Sequence, residues 1–137
     1  VIEIARAAVP VPGIEKFMNG HKTLIAGSTW PDDEELLKKA AGFLEANKVK
    51  LIIAPHHVNP KHIESLQALF PGSLLYSALS RGPLSNSNIL IIDNVGMLSR
   101  LYQYAWCCYV GGGLSRTGVH NVLEAAVYHK PVLFGYN

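Results

Sequence analysis

The segment from Gly111 to Ala126, GGGLSRTGVHNVLEAA, combines three consecutive glycines with a basic residue and an Asn-x-x-Glu sequence. The glycines follow a predicted strand, and residues from Val119 to about Tyr128 have the spacing of a helix. A glycine turn that opens a helix lets the backbone approach an anion, because the unpaired N–H groups and the helix dipole favour negative charge. The segment therefore predicts either a phosphate-binding loop or a turn in which glycine only allows close strand-to-helix packing, and these residues alone favour neither.

Asn121 and Glu124 are three residues apart, so on a helix they share one face near its N-terminus. A carboxylate at this position can accept hydrogen bonds from the two neighbouring hydroxyls of a ribose. It can also simply complement the helix dipole, and the spacing alone favours that simpler role. The segment has neither the glycine spacing of a dinucleotide fingerprint nor the lysine of a P-loop.

Polar groups also follow other predicted strands. Ser28 can donate to a ligand oxygen or cap the helix that begins near Pro31, and capping is the usual role there. His56 and His57 can contact a phosphate or sugar, or be solvated loop histidines, and the sequence offers too few further ligands for a zinc site. Four acidic residues at positions 32 to 35 occupy the positive end of the first long helix, so a phosphate is expected at the later glycine loop instead.

The elements that must position these groups alternate along the chain. Short apolar runs predict strands at 23–26, 51–54, 74–76, 89–92, 107–110 and 131–134, and helical periodicity lies between most of them, at 31–46, 60–70, 97–105 and 119–128. This order predicts an α/β fold, a parallel sheet with helices on both faces. Ligands of such sheets bind outside the carboxyl ends of the strands, where Ser28, His56, His57, Asp93, Gly96 and the glycine loop all fall.

Composition limits the classes of function. With 137 residues, 49% of them hydrophobic, the chain is long enough for one domain with a real core. Twelve basic and ten acidic residues, without a basic stripe, give no indication of nucleic-acid binding. The adjacent Cys107 and Cys108 indicate buried thiols of a reducing compartment. Neither a signal peptide nor a membrane span is predicted, so the chain as given is expected to be soluble.

Four motifs occur in one order: Gly27-Ser28-Thr29, Pro55-His56-His57, Asp93 to Leu98, and VGGGL…HNVLEAA…KPVLFG from Val110 to Gly135. This order closely resembles the C-terminal half of the 3-deoxy-D-manno-octulosonic acid (Kdo) transferases of lipid A assembly. The resemblance extends from about Leu24 to Asn137. It implies a Rossmann-like domain, the half of a two-domain GT-B glycosyltransferase that binds CMP-Kdo.

By this resemblance, residues 21–137 form the CMP-Kdo-binding domain, truncated at its C-terminus, and residues 1–20 are a linker or the start of the domain. The N-terminal domain, absent here, would present the lipid A precursor and the catalytic base, so no catalytic residue is assigned and the fragment alone is expected to be inactive. Transfer is expected to be inverting and to need neither metal nor cofactor. The full-length enzyme is expected at the cytoplasmic face of the inner membrane, and an apolar face exposed by truncation would favour self-association.

The resemblance also implies the donor contacts. They are Ser28, Pro55, His56, Gly96, Met97, Leu98, Gly112, Gly113, Asn121 and Glu124. In the family's motifs the serine lies near the phosphate, the glycine-containing stretch meets the cytidine, and the glutamate binds ribose. His56 replaces the arginine usual in the family, so a permanent charge becomes one that depends on pH, and Arg116 is an alternative source of positive charge.

Two other functions fit the same motifs. One is another GT-B enzyme, a UDP-sugar transferase or epimerase, which would bind UDP in preference to CMP. The other is a non-catalytic nucleotide-binding or partner-docking module. Transfer restored by addition of the N-terminal half would exclude that module.

Overall fold

The computed structural model describes residues 9–79, 87–112 and 130–134, and these residues form a parallel α/β sheet. The helices are α1 (Ile14–Met18), α2 (Pro31–Ala46), α3 (Pro60–Leu69) and α4 (Leu98–Leu101), with 3-10 turns at Tyr76–Ala78 and Tyr102–Tyr104. The strands are β1 (Lys22–Thr29), β2 (Val49–Pro55), β3 (Leu74–Leu75), β4 (Ile89–Ile91), β5 (Cys107–Val110) and β6 (Val132–Phe134). The predicted helix at 119–128 lies outside the described residues.

The sheet has the order β3-β4-β2-β1-β5-β6, and all of its strand pairs are parallel. From β1 the chain adds β2, β3 and β4 on one side, and it then crosses to the other side of β1 to add β5 and β6. The reversal between β1 and β5 is the topological switch point at which sheets of this type bind ligands. The predicted Rossmann-like fold is confirmed.

Both faces of the sheet carry a hydrophobic core, as the continuous apolar strands predict. In β2 the side chains alternate: Ile52 is buried in one core with α1 and α4, and Leu51 and Ile53 are buried in the other. The second core contains Leu37 of α2 and Leu66 of α3. Helices therefore cover both faces, and the carboxyl ends of the strands are left as the exposed edge.

Two details differ from the sequence prediction, and a third, the short helix α1, was not predicted. The strand β1 does not stop at Gly27 but continues to Thr29 through a bulge. The predicted helix at 97–105 is one α-helical turn at Leu98–Leu101 followed by a 3-10 turn. Residues 9–18 pack against the sheet, since Ile14 of α1 is fully buried and the Tyr104 hydroxyl accepts a hydrogen bond from Val11 N–H at 2.8 Å. A five-residue helix is too short for a periodic signal.

Within the described residues, none of the helices is long and apolar enough to cross a membrane. Cys107 and Cys108 are free thiols in β5, and both are buried, as the apolar run predicts. Burial raises the pKa of both thiols. For Cys108 the pKa reaches about 12, with the neighbouring Cys107 as a second cause.

We expect both cysteines to resist alkylation in the folded chain, because only the thiolate reacts and burial suppresses its formation. With its pKa near 12 in place of 9.0, Cys108 holds roughly a thousandfold less thiolate than a free cysteine at pH 8. Mass spectrometry after iodoacetamide treatment at pH 8 should find the native chain unmodified, and the chain in guanidinium chloride modified at both cysteines. Rapid native alkylation would contradict the buried placement of β5.

Candidate functional site

A cavity of about 150 Å³ opens at the carboxyl ends of β1, β2 and β4. Five of the predicted donor contacts line it: Ser28, Pro55, His56, Gly96 and Leu98. They come from three segments far apart in sequence, and the parallel sheet brings them to one edge. The expectation that these strand ends would meet is therefore correct for this part of the site.

Ser28 occupies the bulge at the end of β1, where it adopts a left-handed backbone conformation with φ of 53°. At this bulge the half-buried serine forms part of the cavity wall. The residue at the N-cap of α2 is Trp30, two positions later. Helix capping, the alternative role for Ser28, is therefore wrong.

The imidazole of His56 stacks on the indole of Trp30, with ring centroids 4.6 Å apart and planes inclined by 20°. The ring of His57 meets both of these rings edge-on, at centroid distances of 5.1 and 4.7 Å. The His56 backbone N–H donates to the Thr29 carbonyl at 3.0 Å, so the backbone of His56 is also fixed to the end of β1. Trp30 was not predicted as a site residue. The signal that could have identified it is its position directly after the Gly27-Ser28-Thr29 motif.

The stretch Gly96-Met97-Leu98 leads from β4 into α4. Gly96 has φ of 94°, a left-handed conformation that favours glycine, and Leu98 contributes its side chain to the cavity wall. The Met97 side chain is buried in the core instead and does not line the cavity. A contact from Met97 to a ligand would therefore involve its backbone.

Asp93, which also follows a strand, is directed to the neighbouring 3-10 turn. Its carboxylate accepts hydrogen bonds from the backbone N–H of Ser77, at 3.0 Å, and from the Ser77 hydroxyl. Asp93 is not among the residues that line the cavity. Its observed role is to anchor the loop that follows β3.

The glycine loop begins at the end of β5, beside β1. The Gly111 N–H donates to the Gly27 carbonyl at 2.8 Å, and a Cβ at Gly111 would overlap the Ser28 carbonyl oxygen and approach Thr29 Cα to 2.7 Å. Gly112 has φ of 96°. Gly111 is therefore needed for the close packing of the glycine loop against the end of β1. The other predicted residues of the segment, Gly113, Arg116, Asn121 and Glu124, lie outside the described residues.

A buried carboxylate meets the glycine loop from the first turn of α2. Asp33 is fully buried, and its Oδ2 accepts from the backbone N–H groups of Gly112, at 3.0 Å, and Trp30, at 2.9 Å. Its Oδ1 accepts from the Tyr109 hydroxyl at 2.6 Å. Burial, that hydrogen bond and the Asp33 charge raise the pKa of Tyr109, so the phenol stays protonated as the donor. The sequence placed Asp33 only in an acidic first turn, because two of its three partners, Tyr109 and Gly112, are distant along the chain.

The neighbouring Glu34 is engaged in a second interaction that links the helices α2 and α3. Its Oε2 accepts from the Thr29 hydroxyl at 2.9 Å and lies 3.0 Å from His62 Nε2. A groove of about 540 Å³ lies between these helices and is lined by Glu34, His62 and Leu66. This groove contains none of the predicted donor contacts.

No protein-family profile matches the chain. The chain is 26% identical over 124 residues to the 3-deoxy-D-manno-octulosonic acid transferase of Rickettsia prowazekii. This match covers 86% of this chain and 26% of that protein. The enzyme of the same name from Aquifex aeolicus is 30% identical over 117 residues, 82% of this chain and 31% of that protein. A bifunctional glycosyltransferase/methyltransferase of Fusobacterium nucleatum is 33% identical over 125 residues, 88% of this chain and 19% of that protein.

The resemblance to Kdo transferases is therefore confirmed, and the chain spans less than a third of the length of these relatives. Among solved structures, the C-terminal CMP-Kdo binding domain of WaaA from Acinetobacter baumannii superposes with a TM-score of 0.74. The match covers 97% of this chain and 69% of that one, at 21% identity. The superposition shows that the two chains share a fold.

Proposed function

We propose that this chain is the donor-binding domain of a Kdo transferase and holds CMP-Kdo at the carboxyl edge of its sheet. The observation that carries the proposal is the cavity beside β1, β2 and β4. Five positions at which the family resemblance implies donor contacts converge there, including Ser28, His56 and Gly96. A cavity of about 150 Å³ is smaller than the ~300–1,000 Å³ typical of ligand pockets. The nucleotide would therefore extend from it toward the glycine loop.

In the proposed complex each group acts by ordinary charge and hydrogen-bond complementarity. The Ser28 hydroxyl and the His56 imidazole would contact the phosphate, with Arg116 as a further source of positive charge. Because the Gly111 and Gly112 amides already donate to Gly27 and Asp33, amides of the glycine loop from Gly113 onward and the helix N-terminus would stabilise the negative charge of departing CMP. Glu124 would accept hydrogen bonds from the ribose hydroxyls. Inverting, metal-independent transfer to a lipid A precursor would require a catalytic base from the N-terminal half of the enzyme, at the cytoplasmic face of the inner membrane.

Titration calorimetry of the 137-residue chain with CMP and with UDP tests this proposal. We expect CMP to bind and UDP to bind more weakly, and we expect Glu124→Ala to weaken CMP binding by about tenfold or more, because a charged hydrogen-bond acceptor contributes ~1.5–3 kcal/mol.

The matched control is Glu64→Ala, which removes the same side chain from an exposed position on α3. It should leave CMP affinity unchanged. Absence of CMP binding by the folded wild-type chain, or equal affinity in the Glu124 and Glu64 variants, would contradict the proposed site. Preference for UDP would indicate a different GT-B enzyme.

A further inference from the structure

The carboxylate of Asp33 is a hydrogen-bond acceptor shared by three segments at the sheet edge. It accepts hydrogen bonds from the Trp30 amide after β1, from the Tyr109 hydroxyl in β5, and from the Gly112 amide in the glycine loop, at 2.9, 2.6 and 3.0 Å. A carboxylate has acceptors only, so it can satisfy all three donors at once. Because Asp33 is fully buried, its charge would be costly without these partners.

Two of these three hydrogen-bond donors, the backbone amides, belong to segments at the sheet edge where CMP-Kdo is proposed to bind. The Trp30 amide and the Gly112 amide share one oxygen, Oδ2, which fixes their separation. Trp30 in turn carries the stacked imidazole of His56, which lines the cavity. A continuous set of contacts therefore connects His56 on one side of β1 to the glycine loop on the other.

We propose that Asp33 is a positioning residue, which sets the distance between the Trp30–His56 stack and the glycine loop and thereby shapes the site for an anionic nucleotide donor. This role rests on the proposed function for its ligand, but the coupling of the two segments does not require a ligand. The acceptor oxygen at Asp33 matters more than its charge, since a negative charge near a phosphate is itself unfavourable.

Three variants distinguish a positioning role of Asp33 from a general contribution of this residue to the stability of the fold. Asp33→Ala removes the acceptor for all three donors. Asp33→Asn keeps one oxygen for the two backbone amides and offers its NH₂ group to the Tyr109 hydroxyl oxygen, without the charge. The matched control is Tyr109→Phe, which removes one hydrogen bond from the same carboxylate and leaves both amides held.

The first readout needs no ligand. Hydrogen exchange of the Gly112 amide, followed by NMR, should accelerate at least tenfold in Asp33→Ala and stay near wild type in Asp33→Asn and Tyr109→Phe. A Trp106→Phe background leaves Trp30 as the only tryptophan, and its emission should shift in Asp33→Ala as the stack on His56 loosens. Trp106 precedes β5 at the opposite edge of the sheet, so its removal does not disturb this site.

The second readout is CMP affinity at a temperature where each variant is folded. Asp33→Ala should bind CMP about tenfold more weakly, whereas Asp33→Asn and Tyr109→Phe should stay within about threefold of wild type, with Asp33→Asn binding as tightly as wild type or more tightly. Equal loss of affinity in Tyr109→Phe and Asp33→Ala, or an unchanged Gly112 amide in Asp33→Ala, would overturn the positioning role. If Asp33→Ala is unfolded, loss of Gly112 protection in Asp33→Asn overturns it instead. A wild-type chain without CMP affinity but with the expected exchange pattern would refute the proposed function and support the coupling.

Discussion

Replacement of Gly111 by alanine is expected to destabilise the chain by about 3 kcal/mol, because the added methyl group has no room against the backbone. The new Cβ would overlap the Ser28 carbonyl oxygen, approach Thr29 Cα to 2.7 Å and approach Asp33 Oδ2 to 2.8 Å. Two of these three obstacles are main chain of the central strand, which cannot move without separating β1 from β5. The third is the buried carboxylate that holds the glycine loop.

Urea denaturation followed by circular dichroism measures this loss. The control is Gly42→Ala on α2, where a Cβ meets nothing within 4 Å. That change should stabilise the chain by up to about 1 kcal/mol, because alanine favours the helix more than glycine does. The two substitutions add the same methyl group with opposite expected signs. A Gly111→Ala chain as stable as the Gly42→Ala chain would contradict the close packing of β5 on the bulge.

The parallel fold could be predicted because its signals are local. Runs such as Leu51–Ala54 are apolar without alternation, which is typical of a strand covered on both faces, and Asn59-Pro60 begins a helix by a known capping pattern. The Asn59 side chain does accept a hydrogen bond from the His62 backbone N–H at 2.9 Å. The convergence of Ser28, His56 and Gly96 followed from the rule for strand ends, since each lies at or shortly after the carboxyl end of a strand.

The strand order and the supporting contacts could not be predicted in the same way. Insertion of β4 between β3 and β2 depends on which edges the chain covers, and a three-residue strand carries little information about its neighbours. Asp33 and Glu34 both read as first-turn acids, yet each is buried and held by partners up to 79 residues away. Only the packing of α2 against the sheet distinguishes them from the exposed Asp32.

In the glycine loop, too, one part of the structure could be predicted from the sequence and another could not. The sequence left a phosphate cradle and a packing turn equally open, and the two are compatible. Gly111 is required for packing, and Gly112 adopts a positive φ of 96° while its N–H is held by Asp33. The proposed anion binding therefore uses a loop whose first two residues are held by the protein itself. A fixed loop would lose less conformational freedom when the donor binds.

Gly27→Ala is the second change expected to have a large effect, and here the obstacles are side chains. A Cβ at Gly27 would overlap the Tyr102 hydroxyl and lie 2.6 Å from the nearer Leu98 methyl carbon. Because side chains can rotate or shift, we expect a smaller loss of about 2 kcal/mol. Leu98 lines the proposed donor cavity, so its displacement should also weaken CMP binding. Urea denaturation and calorimetry measure the two effects.

A double-mutant cycle with Tyr102→Phe identifies the cause of that loss. The phenylalanine ring lacks the oxygen that a Cβ at Gly27 would meet, so the combined variant should be more stable than the sum of the single changes by about 1 kcal/mol. The overlap with Leu98 remains in the combined variant, and CMP binding should therefore stay weakened while stability partly recovers. Strict additivity of the two stability changes would show that Gly27 is not confined by Tyr102. It would place the steric limit at Leu98, the cavity wall itself.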